Sequence, residues 1–95
     1  ILKHDGIFVC QSESPIFYTN TMKKIFNNLQ DIYMDVKLYT AIVPTYPGGL
    51  WSFTMASKKS ISIKPEKLMG DNQYVNKGIL ESCFNLPEFV KRSLK

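Results

Sequence analysis

The residues of this chain best suited to chemistry sit at a corner, Pro44-Thr45-Tyr46-Pro47-Gly48-Gly49, between two runs of β-forming apolar residues. Pro44 and Pro47 fix their own φ and bias Val43 and Tyr46 toward extended backbone, while Gly48 and Gly49 permit the positive φ of a tight reversal. A reversal needs only glycine, asparagine and proline. An aromatic hydroxyl held there by backbone restraint is therefore an addition that the turn does not require. Two readings of Tyr46 stand side by side: a ring packed over the end of a sheet, and a hydroxyl that orients a ligand.

A second polar group follows the first apolar run. Residues 6–10, Gly6-Ile7-Phe8-Val9-Cys10, end at Gln11-Ser12-Glu13. Cys10 has only His4 as a candidate base, at the opposite end of the run, so it reads as a small buried hydrophobe rather than a nucleophile. The eight acidic residues form no pair at motif spacing, and of them only Glu13 lies near the corner in the expected fold. One His and two separated Cys, Cys10 and Cys83, indicate no metal site.

The elements that must position these groups follow from periodicity. The continuous apolar run 6–10 is the pattern of a strand buried on both faces of a parallel sheet. After the Ser14-Pro15 turn, Thr19 or Asn20 can cap a helix whose apolar face is Met22, Ile25, Phe26, Leu29, Ile32 and Tyr33. That stripe is core, not a cofactor site. Residues 36–43 are β-branched and aromatic and stop at Pro44, which makes a second strand. Strand, helix and strand at this spacing form a βαβ unit whose strands run parallel. Residues 50–57 alternate Trp51, Phe53 and Met55 with Ser52, Thr54 and Ala56, and must return antiparallel. Beyond Lys59 the pattern weakens to a connector over 60–65, one helical turn over 66–69 ended by Gly70, a loop at 71–73, and a final helix from Pro87 through Leu94. Because the two parallel strands share a direction, residues 11–13 and 45–47 emerge at the same sheet edge, where open α/β sheets bind ligands. Gln11 and Tyr46 are expected neighbours on that ground alone.

The totals narrow the class. Ninety-five residues make one domain at most, and 44% hydrophobic with 21% charged is ordinary globular composition. The net charge of +4 is spread over helix, strand end, loop and tail, with no basic stripe interleaved with aromatics, so nucleic acid is not an expected partner. No apolar run approaches the roughly 18 residues of a membrane span. Two thiols inside apolar segments fit a reducing compartment better than a disulfide frame.

The corner, with the Trp51, Phe53 and Ala56-Ser57-Lys58 that follow it, resembles the signature near the C-terminus of the spermidine synthases, the aminopropyltransferases that make polyamines. Asp5-Gly6-Ile7-Phe8-Val9-Cys10-Gln11-Ser12-Glu13-Ser14-Pro15 and Phe84-Asn85-Leu86-Pro87-Glu88-Phe89 resemble that family as well, in the same order, so the resemblance covers nearly the whole chain. It implies an α/β fold, the C-terminal part of a class I methyltransferase-like (Rossmann-like) sheet: strand, helix, strand, antiparallel strand, then short C-terminal helices. The chain opens at Ile1 in a loop, and the resemblance implies that residues 1–95 are the C-terminal part of a longer aminopropyltransferase catalytic domain, without its nucleoside-binding half.

For the full enzyme, the resemblance implies transfer of an aminopropyl group from decarboxylated S-adenosylmethionine to putrescine, giving spermidine and methylthioadenosine, with no cofactor beyond that co-substrate. It implies substrate-binding roles for Tyr46, whose hydroxyl orients the amine, for Gln11 as a second polar contact, and for Trp51, either along the aliphatic part of the polyamine slot or as a structural residue. The catalytic and amine-binding aspartates and the Gly-rich nucleoside loop of the family precede the matched region, so no catalytic residue is expected here. A cytoplasmic homo-oligomer, dimer or tetramer, is implied for the full-length protein. Two alternatives are a non-catalytic fragment or paralogue of the same fold acting in assembly, and a methyltransferase of the same fold. The Tyr46 corner argues against the second, since methyl transfer needs no polyamine slot. One departure is local: the family commonly shows paired tyrosines and then a His before its Phe-x-Leu-Pro motif, where this chain has Tyr74-Val75 and Leu80, which leaves the C-terminal segment only a packing role.

Overall fold

The computed structural model describes Lys3, residues 5–46 and residues 48–94; His4 and Pro47, both weighed above, lie outside the described residues. The elements are β1 (Ile7–Gln11), α1 (Thr19–Gln30), β2 (Asp35–Ile42), β3 (Leu50–Ser57), a 3₁₀ turn at Pro65–Lys67, α2 (Lys77–Ser82) and α3 (Glu88–Ser93). The strands form one sheet in the order β1-β3-β2. β3 is antiparallel to both neighbours, running from Ile7 opposite Ser57 to Gln11 opposite Phe53 on one side, and from Asp35 opposite Ser57 to Ile42 opposite Leu50 on the other. β1 and β2 therefore point the same way, as expected, but they do not pair: the last strand lies between them.

The alternation along β3 sorts the two faces of the sheet. Its small residues Ser52, Thr54 and Ala56 are buried completely. α1 packs across β2 and β3, and α3 packs against α1. The core they enclose is Met22, Leu38 and Val90, with Phe26, Leu86 and Leu94 around it. On the other face Tyr39 stacks on Phe53, with ring centroids 5.3 Å apart and 16° between planes, and Phe84 tilts against Tyr39 at 5.4 Å. The connector after β3 is pinned to the start of β2, where the Ile61 amide donates to Asp35 Oδ2 at 2.7 Å. The C-terminal segment is tied to the other side of β2, the Thr40 amide donating to the Cys83 carbonyl at 3.2 Å.

Three expectations are corrected. β1 is not buried on both faces: Ile7, Phe8 and Val9 are 51%, 41% and 45% exposed. Among the described residues β1 pairs only with β3 and has no helix over it, so its apolar run lies along an open edge. Neither Thr19 nor Asn20 caps α1. The Thr19 hydroxyl donates back to the Pro15 carbonyl at 2.8 Å, and Tyr18 occupies the cap without a side-chain bond. Ser14 prepares the turn instead, its hydroxyl accepting from the Ile16 and Phe17 amides at 3.1 and 3.0 Å. Finally, α1 ends at Gln30, and the Ile32 amide closes back on the Leu29 carbonyl, which leaves the Ile32 side chain in solvent.

An open strand edge flanked by Ile7, Phe8 and Val9 is a surface that soluble monomers rarely present. The 95-residue chain alone is expected to self-associate and to bind hydrophobic dyes, read by size-exclusion chromatography and dye fluorescence. A monodisperse monomer with a sharp cooperative melt would contradict that expectation.

Candidate functional site

The corner closes by its own backbone. The Tyr46 amide donates to the Val43 carbonyl at 3.0 Å, the Gly49 amide to the Tyr46 carbonyl at 3.0 Å, and the Val43 amide to the Gly49 carbonyl at 2.8 Å. Gly48 and Gly49 take φ of +82° and +74°, the conformations for which glycine was expected. Gly48 has a second reason to lack a side chain. A Cβ there would come within 3.0 Å of the Phe17 ring, because the loop after β1 lies against the corner.

Three elements bring the three expected site residues together. β3 holds Trp51, 6% exposed, just inside its start. The Tyr46 ring lies on the Trp51 ring with centroids 4.3 Å apart and planes at 48°. On the other side, the Trp51 Nε1–H donates to Gln11 Oε1 at the end of β1, at 3.1 Å. Among the described residues Tyr46 and Gln11 share no hydrogen bond or ring contact; both touch Trp51. Tyr46 is 36% exposed and Gln11 is exposed, so both side chains are open to solvent at the common edge.

A buried polar seam beneath this trio escaped the sequence reading. Ser12 and Thr54, both fully buried, share a hydroxyl–hydroxyl bond. The ladder runs on past β1, the Ser12 amide donating to the Ser52 carbonyl at 2.9 Å and the Ser52 amide to the Glu13 carbonyl at 3.1 Å. The Ser52 hydroxyl donates to that same carbonyl at 2.7 Å. Glu13 has φ of +70°, alone among the described non-glycine residues in the left-handed region. The chain thus leaves the ladder at a fixed point, Glu13. The signal for it is the alternation of Ser52 and Thr54 along β3, since hydroxyls on a strand face covered by a helix need partners.

Two further features frame the site. An apolar cleft of about 380 Å³, walled among others by Tyr39, Phe53, Met55, Leu80 and Phe84, lies on the same sheet, with none of Gln11, Tyr46 and Trp51 among its lining residues. Tyr74 ties the C-terminal segment to the sheet: its hydroxyl accepts from the Ile42 amide at 3.1 Å, holding the end of the strand that feeds the corner. Burial pushes the Cys10 thiol up from its ordinary range, and does the same to Cys83 against a smaller downward pull from its own backbone. Neither is an activated nucleophile. Among the described residues no group of His, Cys, Asp and Glu is arranged to hold a metal ion, and no helix is long and apolar enough to cross a membrane.

The family profile described as the spermine/spermidine synthase domain matches residues 1–65, more than half of the chain and all three site residues. The chain belongs to the spermine/spermidine synthase family. Among curated members of this family, the polyamine aminopropyltransferase of Thermoplasma volcanium is 38% identical over 91 residues, covering 96% of this chain and 33% of the relative. That of Caldicellulosiruptor saccharolyticus is 39% identical over 97 residues, covering 99% and 35%. The crystal structure of spermidine synthase from Thermotoga maritima superposes with a TM-score of 0.88 at 32% identity, over 98% of this chain and 35% of that one. A spermidine synthase in complex with the transition-state analogue AdoDATO superposes equally well, with the same TM-score and identity. The chain spans about a third of the length of the curated relatives it matches. The α/β arrangement, with its last strand inserted between two co-directional ones, is thus shared with spermidine synthases.

Two predictions follow from this geometry for a full-length family member carrying this chain. Gly48→Ala forces a left-handed alanine against Phe17, and the left-handed backbone alone costs roughly 1–2 kcal/mol, to be read by chemical denaturation. An unchanged midpoint would mean that the corner tolerates a different turn. Thiols raised by burial hold less thiolate at neutral pH, so Cys10 and Cys83 should alkylate more slowly than free cysteine at about pH 8, with rates still climbing where free cysteine has levelled off. Rates above those of free cysteine would contradict the burial.

Proposed function

We propose that this chain is the C-terminal part of the catalytic domain of a polyamine aminopropyltransferase, a spermidine synthase, and that it supplies one wall of the polyamine pocket. The observation that carries the reading is the meeting of Tyr46, Trp51 and Gln11 at one sheet edge in a chain of this family. In the reaction, a neutral amine of putrescine attacks the aminopropyl carbon next to the sulfonium of decarboxylated S-adenosylmethionine. The new C–N bond forms as the C–S bond breaks, and the sulfur keeps that electron pair as the neutral thioether of methylthioadenosine. The amine proton leaves to a base outside this chain.

The part of this chain is binding and orientation. The Tyr46 hydroxyl, on a ring steadied by Trp51, takes up the amine, and holding it at a near-attack distance is a large share of what such a site contributes. Gln11 adds a second polar contact, and Trp51 backs the aliphatic stretch of the slot. Glu13 is a lone acid at this edge, so the carboxylates that a dication needs come from the rest of the enzyme. The full protein works in the cytoplasm as a homo-oligomer, on small molecules rather than nucleic acid or membrane.

The test is an aminopropyl-transfer assay on the full-length protein with putrescine, comparing Tyr46 with Tyr46→Phe. Loss of a hydrogen bond to a charged or reacting group, worth roughly 1.5–3 kcal/mol, lowers kcat/KM about tenfold to a hundredfold. The thermal midpoint should barely move, since the corner is closed by backbone bonds and two glycines. Full activity in the Phe variant would reduce Tyr46 to a ring packed on Trp51. Absence of transfer by the wild type would favour the non-catalytic paralogue.

A further inference from the structure

Trp51 is 6% exposed and touches both Tyr46 and Gln11, the two exposed polar residues expected at this edge. The indole N–H can only donate. The Gln11 atom 3.1 Å away must therefore be the carbonyl oxygen, which settles an orientation that an amide otherwise leaves open. With Oε1 turned inward to Trp51, the Nε2 amino group, two donors and no acceptor, is the end that Gln11 presents to the edge.

From this we infer that Trp51 is a positioning residue that locks the Gln11 amide, so that Gln11 meets its ligand as a hydrogen-bond donor. The inference rests on the aminopropyltransferase reading for its reaction but not for the lock itself. An ammonium carries only donors, and the single lone pair of the attacking amine is committed to the carbon it attacks. The Nε2 end of Gln11 therefore binds an oxygen acceptor: a hydroxyl of the nucleoside co-substrate, or a carboxylate that in turn holds the amine. Trp51 thus joins two roles in one side chain, its ring seating Tyr46 and its N–H aiming Gln11.

The experiment uses the full-length protein labelled with 5-fluorotryptophan, together with transfer kinetics. The resonance lost in Trp51→Phe identifies Trp51. Gln11→Leu should shift it, while Gln11→Glu, whose carboxylate still accepts from the indole N–H, should leave it close to its place. A resonance indifferent to Gln11→Leu overturns the lock. In kinetics, Trp51→Phe keeps a ring beneath Tyr46 and should lower kcat/KM about three- to tenfold, the scale of one neutral hydrogen bond. In a Gln11→Leu background the same change should cost less than about twofold, because coupled residues are not additive. Independent, multiplying losses would overturn positioning through Gln11. Gln11→Glu replaces donors with acceptors and should lower kcat/KM at least as much as Gln11→Leu. The substrate whose KM rises identifies the oxygen: decarboxylated S-adenosylmethionine for the hydroxyl, putrescine for the carboxylate. A Glu variant with a lower KM for putrescine would mean that Gln11 accepts from an ammonium, and would sink the donor assignment. Absence of transfer by the wild type overturns the proposed function, and with it the donor role in transfer, while the lock is decided by the resonance.

Discussion

The pairing of β3 with two strands that both run against it is the constraint on which everything else hangs. An inserted antiparallel strand begins where its neighbours end. The start of β3 therefore meets the ends of β1 and β2, and Trp51 can reach Gln11 on one side and Tyr46 on the other. A third strand appended outside β2 would have left Gln11 a full strand away from Trp51. Residues far apart in the chain form one edge because the backbone ladder, not any side chain, puts them there.

The two faces of β3 divide the labour. Ser52, Thr54 and Ala56 let α1 come close, and the hydroxyls among them, satisfied by Ser12 and the Glu13 carbonyl, fasten the exit of β1. No buried side-chain polar atom among the described residues lacks a partner. A seam of this kind is rigid while complete and costly when broken, since each orphaned buried hydroxyl carries a desolvation penalty of about 1–3 kcal/mol. Its place directly under Gln11 and Trp51 gives the edge a floor that side-chain packing alone would not hold so closely.

Much of this was legible in residue order. The corner's glycines, the apolar stripe of α1 and the alternation of β3 each carry their geometry in local sequence, and the shared direction of β1 and β2 already made Gln11 and Tyr46 neighbours. What was not legible depends on contacts between distant segments. The run Ile7-Phe8-Val9 reads as doubly buried because its composition suits a strand covered on both sides, and composition does not say whether the cover belongs to this stretch of chain. Thr19 resembles a cap by type, but Ser14 and Pro15 had already bent the chain into the helix, which turned the Thr19 hydroxyl backward. The periodicity through Ile32 outlasts the helix because hydrogen bonding at its end, not hydrophobic spacing, sets where it stops. The indole-to-amide bond joins two strands that are not consecutive, and only the strand order makes it visible.

The central strand is also the last of the three to be synthesised. β2 and β3 are joined by one short corner and can zip locally, whereas β1 must wait for a partner some 42 residues downstream, the separation of the Ser12–Thr54 bond. Loop-closure entropy makes that second ladder the slower and weaker one to close. The polar edge with its aimed glutamine therefore comes into being only when the β2–β3 hairpin docks on β1.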